Sequence, residues 1–82
     1  MKYYLAVFSS ITFANRLKKK LEIYPGYITL MHTPLSLSKN GCSYSLRFKE
    51  DRLSDVIREA NALNITIKNI YTEENNKYVK FQ

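Results

Sequence analysis

Cys42 is the one residue in this chain with the makings of a nucleophile. Its setting is Ser36-Leu37-Ser38-Lys39-Asn40-Gly41-Cys42-Ser43, where small polar residues and Gly41 permit close approach to the backbone. A thiol reacts as its thiolate, and neighbouring cations favour that form; Lys39 and Arg47 are the cations nearest in sequence. His32, the only histidine, closes a strand-like segment before the serine-rich stretch and is placed to serve as a base or imidazolium partner. The competing reading is a packed cysteine. Free cysteines are among the most buried residue types, and Cys42 falls in phase with the apolar set Tyr44, Leu46 and Phe48.

Other chemistries find little support. One cysteine excludes a disulfide within the chain and any four-thiolate cage. With a single histidine as well, no metal site is expected, and no glycine-rich phosphate loop or Ser-His-Asp arrangement occurs. Asp51, Asp55 and Glu59 recur at helical spacing and read as a solvated acidic stripe.

The elements that position these residues follow from periodicity. Tyr3 to Phe8 is an aromatic and β-branched strand, stopped by Ser9-Ser10, a natural helix N-cap. Ala14, Leu17 and Leu21 recur at spacings of three and four, predicting an amphipathic helix over Ile11 to Glu22, and Tyr24-Pro25-Gly26 breaks it. Tyr27 to His32 alternates as a second strand, and Thr33 to Gly41 reads as a long loop of the kind that carries function. Cys42 to Phe48 alternates as a third strand. A second helix opens at Lys49-Glu50-Asp51-Arg52, carries the stripe Leu53, Val56, Ile57, Ala60 and Leu63, and ends at Asn64. Ile65 to Tyr71 reads as a fourth strand, Thr72 to Asn76 as a turn, and Lys77 to Gln82 as a short edge strand.

This order predicts one α+β domain over residues 1–82, a ferredoxin-like split β-α-β sandwich (βαββαβ) with a short C-terminal hairpin strand. Both helices are expected on one face of the sheet. Tyr4, Ala6, Tyr27, Thr29, Met31, Ser43, Ser45 and Arg47 are expected on the other, a surface for a ligand or for a homodimer.

Length and charge bound the function. A chain of 82 residues buries only about 60% of its unfolded surface, so cofactor-enclosing architectures are excluded. The net charge of +6 favours anionic partners, but it is uneven: +5 over residues 1–40, mostly in Arg16 to Lys20, and +1 thereafter. The opening apolar run stops after six residues, short of a signal peptide or a membrane span. A free thiol without an export signal fits a reducing cytosol.

The stretch Pro34-Leu-Ser-Leu-Ser-Lys-Asn-Gly-Cys-Ser-Tyr-Ser-Leu-Arg-Phe48 resembles the central motif of a small bacterial family of selenium/sulfur carrier-like proteins. Members have a proline-led serine-rich loop, a cysteine usually followed by glycine, and a strand ending Leu-Arg-Phe. Phe8-Ser9-Ser10 and Phe48-Lys49-Glu50-Asp51 also match the family layout, and the likeness spans roughly residues 2–71. Here Ser43 stands in place of the usual glycine.

The resemblance implies a sulfur or selenium carrier rather than a turnover enzyme, with Cys42 holding a persulfide or selenosulfide. Lys39, Gly41, Arg47 and His32 would support it. No cofactor is implied, and the partners would be donor and acceptor proteins. Two further readings stay open: an RNA-binding module of the same topology, stacking bases on residues such as Tyr4 and Tyr27, and a dimerising interaction domain in which Cys42 is merely packed. The third strand lacks the glycine-and-aromatic signature of RNA-recognition domains, which disfavours nucleic acid.

Overall fold

The computed structural model describes residues 2–22, 28–34, 36–37, 43–75 and 77–81. It is an α+β architecture with five antiparallel strands, β1 (Tyr3–Phe8), β2 (Ile28–His32), β3 (Tyr44–Lys49), β4 (Asn69–Glu74) and β5 (Lys77–Lys80), and two helices, α1 (Ile11–Leu21) and α2 (Leu53–Ala62). The sheet runs in the order β2-β3-β1-β4-β5. The break at Tyr24-Pro25-Gly26 lies outside the described residues.

β1 sits at the centre, paired antiparallel with β3 on one side and β4 on the other. Tyr4 through Phe8 are all buried, so the strand is covered on both faces. A strand in that position needs a continuous apolar run rather than alternation, which is what Tyr3 to Phe8 offers.

Alternation therefore could not tell which face of β1 meets the helices. The register decides. Tyr4 pairs with Phe48 and Ala6 with Leu46 and Ile70. These side chains and Phe8 share one core with Ala14, Leu17 and Leu21 of α1 and Val56 and Ala60 of α2. The expectation that Tyr4 and Ala6 lie on the face away from the helices is thus corrected: Tyr3, Leu5 and Val7 occupy it, beside Thr29, Met31, Ser45 and Arg47. Tyr4 instead stacks on Phe48 at 6.2 Å, and Phe81 meets it edge-on at 5.2 Å. As a buried core ring it offers no base-stacking surface; Tyr27 lies outside the described residues.

α1 begins as its sequence dictates, whereas α2 begins at Leu53, later than the expected opening at Lys49. Ser10 holds an extended N-cap conformation, and its Oγ accepts the Thr12 N–H at 3.1 Å. α2 follows a single 3-10 turn, Glu50–Arg52, tied to the start of β1 because the Glu50 N–H donates to the Lys2 carbonyl at 3.0 Å. The chain turns away two residues past Ala62 at Asn64, whose φ of 56° is the left-handed conformation that asparagine tolerates, and the Ile65 N–H closes back on the Ala60 carbonyl.

The supposed acidic stripe is not uniformly solvated. Asp55 accepts from Arg52 and Arg58, and Glu59 is buried beside the Arg58 guanidinium. β4 begins at Asn69 rather than at Ile65, and it runs on through Thr72, Glu73 and Glu74, which the sequence suggests as a turn. The reversal falls at Asn75, φ 50°, and β5 pairs back from there.

Phe48 is fully buried under both helices, whereas Phe81 is about half exposed. Replacing Phe48 with alanine is expected to lower the unfolding free energy by about 3–5 kcal/mol in urea titration, and Phe81→Ala by under about 1 kcal/mol.

Candidate functional site

The chain leaves the sheet at Thr33 and returns at Ser43. The Thr33 N–H donates to the Ser43 carbonyl at 3.0 Å, and the two hydroxyls of Thr33 and Ser45 share a hydrogen bond of 2.6 Å. All three residues are buried. This polar clamp pins both ends of the segment that bears Cys42, and it extends the β2-β3 ladder one rung past His32 and Tyr44. Just beyond Thr33 a turn forms, with the Leu37 N–H on the Pro34 carbonyl at 2.9 Å. Cys42, Lys39 and Gly41 lie outside the described residues, so the site is built from its flanks.

His32 is exposed, and its ring rests against Tyr44 with centroids 4.6 Å apart. Tyr44 pairs in turn with Phe8, the last residue of β1, so His32, Tyr44 and Phe8 form one row across the sheet. The N-terminus of α1 starts three residues after Phe8. One end of the sheet thus gathers the last residues of β1 and β2, the first of β3, and the opening of α1.

Arg47 is placed elsewhere. It lies three residues down β3 from Tyr44, about 10 Å along the strand, and on the opposite face from His32. Its guanidinium forms a fork with Glu73, Nε to Oε2 at 3.0 Å and Nη2 to Oε1 at 3.1 Å, and lies 3.8 Å over the Tyr3 ring. The three residues come from β3, β1 and β4, so the fork crosses the central strand and lies beside Leu5, which sits directly between Arg47 and Tyr71. The hydrogen bonds from Arg47 hold the Glu73 carboxyl below its usual range, against a smaller opposing effect of burial. The same bonds raise Arg47 above its ordinary value. The structure does not bring Arg47 and His32 together.

Sequence reasoning missed Glu73, Tyr3 and Thr33. Glu73 read as part of a turn, and only the β1-β4 register reveals it as the partner of Arg47. Thr33 carried a faint signal, since it follows His32, the last residue of a strand, and precedes a proline. Among the described residues no group of three or more His, Cys, Asp or Glu is placed to hold a metal, and no helix is long and apolar enough to cross a membrane.

Residues 3–72 match the family model described as putative Se/S carrier protein-like. The chain belongs to that family. The matched span takes in Cys42, the Thr33–Ser45 clamp and both helices, and leaves β5 outside. No curated protein and no solved structure matches the chain.

Two outcomes follow from this geometry. Glu73→Gln is expected to cost about 1 kcal/mol, because both partners are about one-third exposed and solvent screens the pair. The Glu73 pKa is depressed, so the stabilisation is complete above the ordinary value of 4.5 and is lost as pH falls through the lower folded value; urea titrations of both proteins should converge there. Ser45→Ala strands the buried Thr33 hydroxyl and should cost about 1–3 kcal/mol, whereas the paired Thr33→Val, Ser45→Ala protein should recover most of that loss.

Proposed function

We propose that the protein carries sulfane sulfur or selenium on Cys42. The observation that carries this reading is the family match over residues 3–72, a span that includes the chain's only cysteine. In the proposed step the Cys42 thiolate attacks the terminal sulfur of a donor protein's persulfide. A Cys42–sulfur bond forms, the donor's sulfur–sulfur bond breaks, and the donor leaves as a thiolate. An acceptor thiolate then takes the terminal sulfur in the same way and returns Cys42 to thiolate. Selenium would travel as a selenosulfide by the same exchange, with no cofactor needed.

Within this proposal Lys39 supplies positive charge to the thiolate and the terminal chalcogen, and Gly41 leaves room for a donor to approach. His32 is supported as a proton acceptor by its exposure and by its position one residue before the Thr33–Ser43 clamp. Arg47, committed to Glu73 and Tyr3, contributes by holding β3 against β1 and β4. A reducing cytosol is the compartment such a thiol needs. We also assign the fold to the ferredoxin-like sandwiches, supported by the order β2-β3-β1-β4 with β5 added outside β4 and by the common core of both helices.

Incubation with a cysteine desulfurase and cysteine, followed by intact-mass measurement, is expected to give a gain of one sulfur that dithiothreitol removes and Cys42→Ser abolishes. An unchanged mass under conditions that load a known carrier would refute the proposal. Iodoacetamide labelling of the folded chain should be fast; a rate that rises only on unfolding would mark Cys42 as a packing residue.

A further inference from the structure

The outward side of α1 holds charge that the rest of the fold does not use. Between Ile11 and Leu21 the helix has Arg16, Lys18, Lys19 and Lys20 and no acid. Lys18 pairs with Glu22 one turn on. Arg16, Lys19 and Lys20 form no ion pair among the described residues, as is also true of Lys49, Lys68, Lys77 and Lys80, but the three on α1 stand together on one helix with no acid between them. Lys19 and Lys20 stand in the last turn, where the helix dipole favours cations, but Arg16 stands a turn earlier.

The dipole also leaves the apolar half of this surface unexplained. Among the described residues only four large hydrophobic side chains are exposed, and two of them, Ile11 at 44% and Phe13 at 41%, open this same helix. A hollow of about 420 Å³ lies along it, lined by Ile11, Thr12, Asn15, Arg16 and Lys19. On a helix Ile11, Asn15 and Lys19 form one row and Thr12, Arg16 and Lys20 the next. The surface therefore runs from apolar to cationic, with Arg16 about 7.5 Å and Lys19 about 12 Å along the axis from Ile11.

We infer that this side of α1 docks an acidic segment of a partner protein, with an apolar side chain seated against Ile11 and carboxylates facing Arg16, Lys19 and Lys20. Charge complementarity selects the partner, and the graded pattern selects its layout: one apolar residue followed, a turn or two later, by acids. A membrane surface fits less well, because the broad apolar face of α1, Ala14, Leu17 and Leu21, is already spent in the core. The inference stands whether or not Cys42 carries a chalcogen.

The test is a titration of the nitrogen-15-labelled 82-residue chain with a short peptide of one leucine followed by a run of glutamates. Saturable amide shifts centred on Thr12, Asn15, Arg16 and Lys19 are expected, weakening as salt rises. Binding should fall about tenfold in R16E/K19E, and the lysine version of the peptide should not bind. R16Q/K19Q, should the reversal disturb folding by circular dichroism, is expected to weaken binding in the same direction. Absence of saturable shifts, shifts mapping to another surface, or unchanged affinity in the folded variants would overturn the inference. So would tighter binding to phosphatidylserine vesicles or to polyuridine RNA than to the glutamate peptide.

Discussion

The molecule depends on a central strand that is buried on both faces. Tyr3 to Phe8 pairs with β3 and β4 along its length, so its backbone groups are used in two ladders and its side chains must fill two environments. Tyr4, Ala6 and Phe8 build the helix-facing core, while Leu5 and Val7 need cover on the other side. Among the described residues there is no second layer of helices to provide it. Arg47, Glu73 and Tyr3 lie there instead, a fork and ring beside Leu5 that ties three strands together. A cation in the middle of a sheet face is tolerable because its partners lie within hydrogen-bond and ring-contact distance and its far side stays in water.

That arrangement separates the two ends of β3 by function. The Arg47 end is consumed in holding the sheet. The Ser43 end is clamped by buried hydroxyls to Thr33, which steadies both ends of the cysteine-bearing segment without using any charge near it. Of the α1 surface only its apolar opening at Ile11 belongs to the same end of the molecule, since the helix opens directly after Phe8, in the row that contains Tyr44 and His32, whereas Arg16, Lys19 and Lys20 lie further along it.

Much of this was legible before any coordinates. The helices, their caps at Ser10 and Asn64, and the strands β1 to β3 follow from short-range rules, because capping and amphipathic spacing act over a few residues. Cys42 as the residue to test, with Lys39 and His32 near it, follows from composition and from the motif Pro34 to Phe48. The facing of β1 did not follow, because a strand apolar on both sides carries no alternation to read. The extent of β4 did not follow either: Thr72, Glu73 and Glu74 have weak strand propensity and become strand through pairing with β1 and β5.

The sequence by itself determined the class of the domain, its family and its single thiol, since these depend on composition, local periodicity and a contiguous motif. The tertiary structure alone decided what the charged groups do. Arg47 stands five positions from Cys42 in the chain, yet its closest counter-charge is Glu73, twenty-six positions away and brought across β1 by the register. Arg16, Lys19 and Lys20 look in sequence like an ordinary helix end, and only the pairing of Lys18 with Glu22 and the exposure of Ile11 beside Arg16 and Lys19 distinguish them as a surface. Charge is listed in one dimension, but Coulomb and hydrogen-bond energies fall with distance in three, so its use is settled by folding.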